Sequence, residues 1–209
     1  MARAATVRRS AVQARSRATI ERILEAAAAA FAENGVEATT MSEIARRADV
    51  VIGSLYQYFS DKPEILKALM ERHYAEVRGM LREGLSGVRD LESLVAAMQA
   101  MAAEYFQLHR TDPLYRALWS GVQTNAVLQA MDVEDTLSNA KVVFDVVRPL
   151  YRRVDEAELM ATCALLMQEA LTASRFALAV PKPLGKRMLG VYQQICRSAI
   201  LGLEGGGRR

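Results

Sequence analysis

The sequence predicts an all-α protein of about nine helices, on three observations. Apolar residues recur at spacings of three and four along most of the chain, no stretch alternates apolar and polar residues as a half-buried strand would, and helix-start and helix-stop residues punctuate the periodic stretches at short intervals. At 209 residues with 51% apolar content, the chain can bury a sizeable core, and it suits a small domain joined to a larger one. No apolar run approaches the about 20 residues of a membrane helix, so a soluble protein is expected. The N-terminal MARAATVRRSAVQARSRA has the charge of a signal peptide but not its apolar stretch or cleavage site, so the expected location is the cytoplasm. Cys163 and Cys196 stand in apolar surroundings, which suits buried reduced thiols better than a disulfide framework, with a redox pair as the alternative.

The elements follow in order. Arg3, Arg8, Arg9, Arg15 and Arg17 precede the first acid, Glu21, so residues 1–17 read as a basic flexible arm, either a phosphate-tracking arm or a solubilising tail. Ile20, Ile23, Leu24, Ala27 and Phe31 form the stripe of a first helix, stopped by Asn34-Gly35. A capping box, Thr40 to Glu43, opens a short second helix to about Ala48. After the turn, a third short helix carries Leu55 and Phe59 four residues apart, both facing inward. A second box, Asp61 to Glu64, with Pro63 in the first turn, opens a long fourth helix. Next come a helix from near Asp90 to before Asp112-Pro113, one or two helices broken around Gly121, and one kinked at Pro149. A long helix over DEAELMATCALLMQEALTASRFALAV and a last one from Leu184 to about Leu203 complete the set, and 205–209 reads as a mobile tail.

Two short helices joined by a tight turn, with the first helix across them, make a helix-turn-helix unit, here 18–62, whose second short helix lies in the major groove of DNA. Gly53 lets the backbone approach, Ser54 is a short donor and acceptor, and Gln57 is long enough for a base edge. The Tyr56 and Tyr58 hydroxyls can reach phosphates, and Lys62 adds charge at a helix start. Core packing is the competing reading of each aromatic, and it is the one adopted for Phe59.

The segments AAAAAFAENG, TTMSEIA, GSLYQYF and SDKPEIL, in that order and spacing between about Ile20 and Leu66, resemble the DNA-binding domain of the TetR/AcrR family of bacterial transcriptional regulators. The resemblance implies phosphate contacts at Thr40, Tyr56 and Lys62, and base-proximal roles for Gly53, Ser54 and Gln57. It also implies a homodimer on a palindromic operator and release by an effector that changes the spacing of the two DNA heads through the fourth helix, with repression the commoner mode. Where the family usually has Ala-Gly-Val-Ser, this chain has ADVV, so Asp49 must take a left-handed turn and Val51 cannot cap the third helix.

By the same resemblance, residues 63–204 are expected to form the effector-binding and dimerisation domain. Its last two helices are apolar over much of their circumference, through Ala161, Ala164, Ala170, Ala173 and Ala177 on one and Met188, Val191, Tyr192, Ile195 and Ala199 on the other. A second buried surface is expected, and the resemblance implies that it is a homodimer interface built from this pair of helices in each copy. Met98, Met101, Tyr105, Phe106, Trp119, Met131, Phe144, Tyr151, Met167 and Phe176 are candidates for an apolar effector pocket, with ordinary core packing an equal reading of each, and Gln123, Asn125, Asn139 and His109 are its candidate polar contacts. The effector is expected to be small and partly apolar. His73 and His109 are the only histidines; neither forms HExxH or a Glu-x-x-His pair, and no Gly-rich phosphate loop or GxSxG occurs. An enzyme, a cofactor and a metal site are therefore not expected; a regulator answering to a protein partner, or to no ligand, is the competing reading.

Overall fold

The computed structural model describes the backbone of residues 2–205 and the side chains of 13–203. Among the described residues there are nine α-helices, one 3-10 turn and no strand. The helices are α1 (Ala2–Asn34), α2 (Met41–Arg47), α3 (Ile52–Tyr58), α4 (Lys62–Leu85), α5 (Leu91–Thr111), α6 (Pro113–Gln123), α7 (Ala126–Val147), α8 (Glu156–Ala179) and α9 (Lys182–Gly205). None of them is long and apolar enough to cross a membrane.

Packing divides the chain into two compact units, one of residues 1–72 and 113–128, the other of 73–112 and 129–209. The segment 113–128, grouped by sequence with the larger domain, thus packs with the first unit, where α6 lies on α1. Ile23, Leu24, Ala27, Ala30 and Phe31 of α1 are buried there with Ile44, Ala45, Leu55, Ile65, Leu66 and Leu69. The backbone runs helical from Ala2, so the stretch 13–17 is helix and not irregular arm, in keeping with its Ala, Gln and Arg content. Side chains of the arm before Gln13, and the tail beyond Gly205, lie outside the described residues.

In the second unit, α5, α8 and α9 pack on one another around Leu94, Met98, Val143, Tyr151, Leu159, Cys163, Leu166, Tyr192 and Ile200. Both cysteines are buried and free, and burial pushes the Cys163 thiol up to about 11, which keeps it protonated and unreactive.

Several boundaries differ from expectation for local reasons. The α6–α7 break falls at Thr124 and Asn125 because Asn125 Oδ1 caps α7, accepting from the amides of Val127 at 2.9 Å and Leu128 at 3.2 Å; Asn125, a candidate polar contact by sequence, thus serves as a helix cap. Gly121 stays inside α6, facing Leu66. Pro149 does not kink α7 but follows its end, in the 3-10 turn Arg148–Leu150, where its missing donor costs no helical bond. The last helix starts two residues early, at Lys182, with Pro183 in its first turn.

Candidate nucleic-acid interface and interior polar cluster

The first unit orients α3 through a chain of local bonds. Gly35 stops α1 at φ 79°, and Thr39, wholly buried, donates from Oγ1 to the carbonyls of Gly35 at 2.8 Å and Ala30 at 3.2 Å. Thr40 Oγ1 accepts from the Glu43 amide at 3.2 Å, one half of the expected capping box. The other half is absent: the Glu43 carboxylate instead accepts from Arg47 Nη2 at 2.7 Å and Asn34 Nδ2 at 3.1 Å, and Arg47 also binds Glu33 at 2.8 Å. Charge-assisted partners outcompete a neutral backbone amide, and they tie α2 to the end of α1.

The turn is closed by Asp49 at φ 53°, the left-handed conformation expected of it. Val51 is the N-cap of α3 and makes no side-chain cap bond. Leu55 and Phe59 turn inward, at 0% and 8% exposure, which leaves Gly53, Tyr56 and Gln57 exposed and Ser54 and Tyr58 half-buried. A Cβ built on Gly53 meets nothing within 4 Å, so its glycine leaves open space on that face. The α4 box forms with a shift of one residue: Asp61 Oδ1 accepts from the Glu64 amide at 3.0 Å, while the Glu64 carboxylate accepts from Ser60 N at 2.6 Å. Lys62 is turned from its expected direction: its ammonium donates to the Val36 carbonyl at 2.8 Å and the Glu37 carbonyl at 3.1 Å, clamping the α1–α2 loop. Sequence reasoning missed that clamp, because nothing local links position 62 to 36.

Six large apolar side chains stand exposed on α8 and α9: Leu165, Phe176, Leu184, Val191, Ile195 and Leu201. Leu165 and Phe176 are eleven residues apart on α8, and Leu184, Val191 and Ile195 seven and four apart on α9, spacings that share one helix face, whereas Leu201 lies six residues beyond Ile195 and off that stripe. Tyr192, expected on that surface, faces the other way; it is 3% exposed and its hydroxyl donates to the Leu166 carbonyl at 2.6 Å. Ala164, Ala170, Ala173 and Ala199 likewise pack against the unit's own core.

Of the expected pocket residues, Met98, Met101 and Tyr151 belong to the core of the second unit and Tyr105, Phe106, Phe144 and Met167 pack against it. Trp119 and Gln123 belong to the first unit. Met98 and Tyr151 line a cavity of about 20 Å³ in the second unit, with Leu94, Val143, Cys163 and Leu166, and the Tyr151 hydroxyl donates to the Ile200 carbonyl at 2.9 Å. That volume suits one water-sized molecule and no larger effector. Met101 is in the core, Met167 packs against it, and Phe144 lies beneath the Lys141 ammonium at 5.4 Å. Phe106 stacks on Tyr192 with centroids 6.3 Å apart, and Phe176, 59% exposed, stands on the outer apolar stripe.

The second unit holds a polar cluster that sequence reasoning largely missed. Tyr74 donates to Asp132 Oδ1 across a long 3.4 Å, Arg78 pairs with Asp135 at 2.9 Å, and Asn139 Nδ2 donates to Asp135 Oδ2 at 2.7 Å. Asn139 Oδ1 is buried without a hydrogen-bond partner. Beside them His109 meets Tyr105 at 4.3 Å and His73 at 5.6 Å between centroids. Burial holds the Asp132 and Asp135 carboxyls above their usual range and presses both imidazoles down, His73 to about 3. The signal was present in α7, where Asp132, Asp135 and Asn139 recur at helical spacing in line with buried Leu128 and Val143. Among the described residues no group of three or more His, Cys, Asp or Glu is placed to hold a metal.

Residues 23–69 match the bacterial regulatory proteins of the tetR family, and residues 92–201 match the tetracyclin repressor-like C-terminal domain. The chain belongs to the TetR family. That family is one of transcriptional regulators and not of enzymes, with an N-terminal helix-turn-helix and a C-terminal ligand-binding domain. Its relatives include the transcriptional repressor KstR2 of Rhodococcus jostii, 38% identical over 77 residues, 35% of this chain and 38% of that one. The regulator TtgW of Pseudomonas putida is 31% identical over 127 residues, covering 60% of this chain and 93% of its own. Apart from TtgW, these relatives are matched over about a third to a half of their length, 32% for the A-factor receptor of Streptomyces griseus and 54% for SrpR of Pseudomonas putida. Among solved structures, SmeT, the repressor of the Stenotrophomonas maltophilia multidrug efflux pump SmeDEF, aligns with TM-score 0.65 and 25% identity over 86% of this chain and 89% of its own. SmeT in complex with triclosan aligns with TM-score 0.64 and 25% identity, over 87% of this chain and 91% of its own.

Proposed function

We propose that this chain is a cytoplasmic repressor that binds a palindromic operator as a homodimer and is released by a small, partly apolar effector. The observation that carries the reading is α3: Leu55 and Phe59 anchor it inward, and the same seven-residue helix turns Gly53, Tyr56 and Gln57 out to solvent. In this reading Gly53, Ser54 and Gln57 meet base edges, and Thr40, Tyr56 and Tyr58 meet phosphates. Lys62 contributes by fixing the loop before Thr40, and its ammonium reaches a phosphate only if it leaves the two carbonyls.

The apolar stripes of α8 and α9 supply the surface between the two copies, since six exposed large apolar residues on adjacent helices cost solvation unless covered. The effector binds in the second unit, where the cluster around Asp132, Tyr105 and His109 supplies polar groups amid apolar helices. The triclosan complex of SmeT supports a partly apolar, aromatic effector. By this account the effector favours a head spacing that no longer fits successive major grooves.

The test is fluorescence anisotropy of the protein on duplex DNA from upstream of its own gene, with scrambled competitor, at two salt concentrations. Binding that survives competitor and weakens with salt supports the reading, and Gln57→Ala should relax its sequence preference. Binding indifferent to sequence across the genomic fragments flanking the gene would overturn it.

A further inference from the structure

The start of α3 carries two large apolar side chains in solvent, Val51 at 75% and Ile52 at 38% exposure. Val51 buries little and Ile52 keeps over a third of its surface in solvent, and the helix forgoes a side-chain cap at Val51. Their place is specific. Ile52 and Tyr56 are four residues apart on one edge of α3, beside the buried Leu55 and Phe59, and Gly53 and Gln57 share the next edge, opposite that buried pair. Val51 and Ile52 therefore stand at the leading end of α3, immediately before Gly53 of the proposed base-reading face, where a recognition helix meets base edges. In the major groove of DNA the apolar feature of the base edges is the thymine 5-methyl group.

We propose that Val51 and Ile52 are specificity residues that read thymine methyl groups in each half of the operator. The inference rests on the DNA-binding reading above and adds which bases the helix selects. A chain with serine at position 51 would satisfy its own helix end; this chain trades that bond for an apolar contact with DNA.

The experiment starts from an operator selected in vitro from random duplexes. Each thymine in turn, symmetrically in the two halves, is replaced by uracil, which keeps every hydrogen-bonding group and removes only the methyl. The expected result is one or two thymines per half-site at which uracil weakens wild-type binding, about four-fold per half-site, the worth of one buried methyl group. Val51→Ser, which can only improve the cap, should lose that sensitivity at one position while still binding the operator, and Ile52→Ala should lose it at the same or the neighbouring thymine. If no uracil substitution weakens binding, or if Val51→Ser and Ile52→Ala are as sensitive as wild type, the inference is wrong while the DNA-binding reading stands. If selection enriches no sequence at all, both fall.

Discussion

Gly185 and Gly190 stand on the same helix, and the same substitution should act on them with opposite sign. A Cβ at Gly185 would lie 2.4 Å from the Ala177 carbonyl oxygen of α8 and 3.3 Å from its carbonyl carbon. The first distance is about 0.9 Å inside the closest ordinary carbon–oxygen contact of about 3.3 Å. The obstacle is backbone, so no rotamer change relieves it, and α8 and α9 must separate where they pack together. At Gly190 an added Cβ meets nothing within 4 Å. Alanine gains about 0.8–1 kcal/mol over glycine in a helix interior, and that gain is common to both sites. Overpacking costs about 1–3 kcal/mol, and only Gly185→Ala incurs it. Gly190→Ala should thus stabilise by just under about 1 kcal/mol, Gly185→Ala should destabilise by up to about 2 kcal/mol, and their difference isolates the clash. Urea denaturation followed by circular dichroism, at one protein concentration for all three proteins, measures it. If Gly185→Ala is as stable as Gly190→Ala, the close approach of α9 to α8 is wrong.

The other predictions are smaller or simpler. Val51→Ser places a capping hydroxyl at an exposed N-cap that has no side-chain bond, and it should raise stability by about 1 kcal/mol in thermal unfolding. Lys62→Met removes both bonds to the α1–α2 loop and should cost about 1 kcal/mol, seen as a lower urea midpoint. The folded His73 titrates near 3, below its unfolded value of about 6.5, so its neutral form stabilises fully above the unfolded value and less with each unit below it. Stability should fall between pH 7 and pH 5 with a slope of up to about 1.4 kcal/mol per unit from this imidazole. His109 adds in the same sense, while Asp132 and Asp135, raised by burial, oppose it at the acid end; His73→Asn should flatten the profile, and an equally steep profile in that variant would refute the assignment. Ile195→Glu puts a charge in the middle of the α9 stripe and should convert a dimer to a monomer by light scattering at micromolar concentration.

The first unit was legible because its signals are local. A stop glycine, an N-cap threonine, an Asp–Glu capping pattern and the Leu55–Phe59 spacing each act within four residues, and each is found where the spacing places it. Even there, competition among partners was invisible: Glu43 had to choose between an amide and Arg47, and the guanidinium prevailed. In the second unit the helices were foreseen but their faces were not. Tyr192 and Ile195 both belong to an apolar stretch of α9, and only packing against α5 and α8 decides that one is core and the other surface. The same holds for Phe176, read from its type as a pocket residue and found on the outside.

The sequence alone thus determined the helical class, the order and approximate bounds of the helices, the helix-turn-helix and the residues that α3 turns outward, because periodicity and caps are properties of neighbouring residues. Tertiary structure alone decided the clamp from Lys62 to residues 36 and 37, the glycine contact between α8 and α9, the grouping of α6 with α1, and the meeting of Tyr74, Arg78, Asp132, Asp135 and Asn139. Those pairings join residues far apart in the chain, and which distant side chains meet depends on the angle and register at which whole helices pack, a choice that no short stretch of sequence encodes.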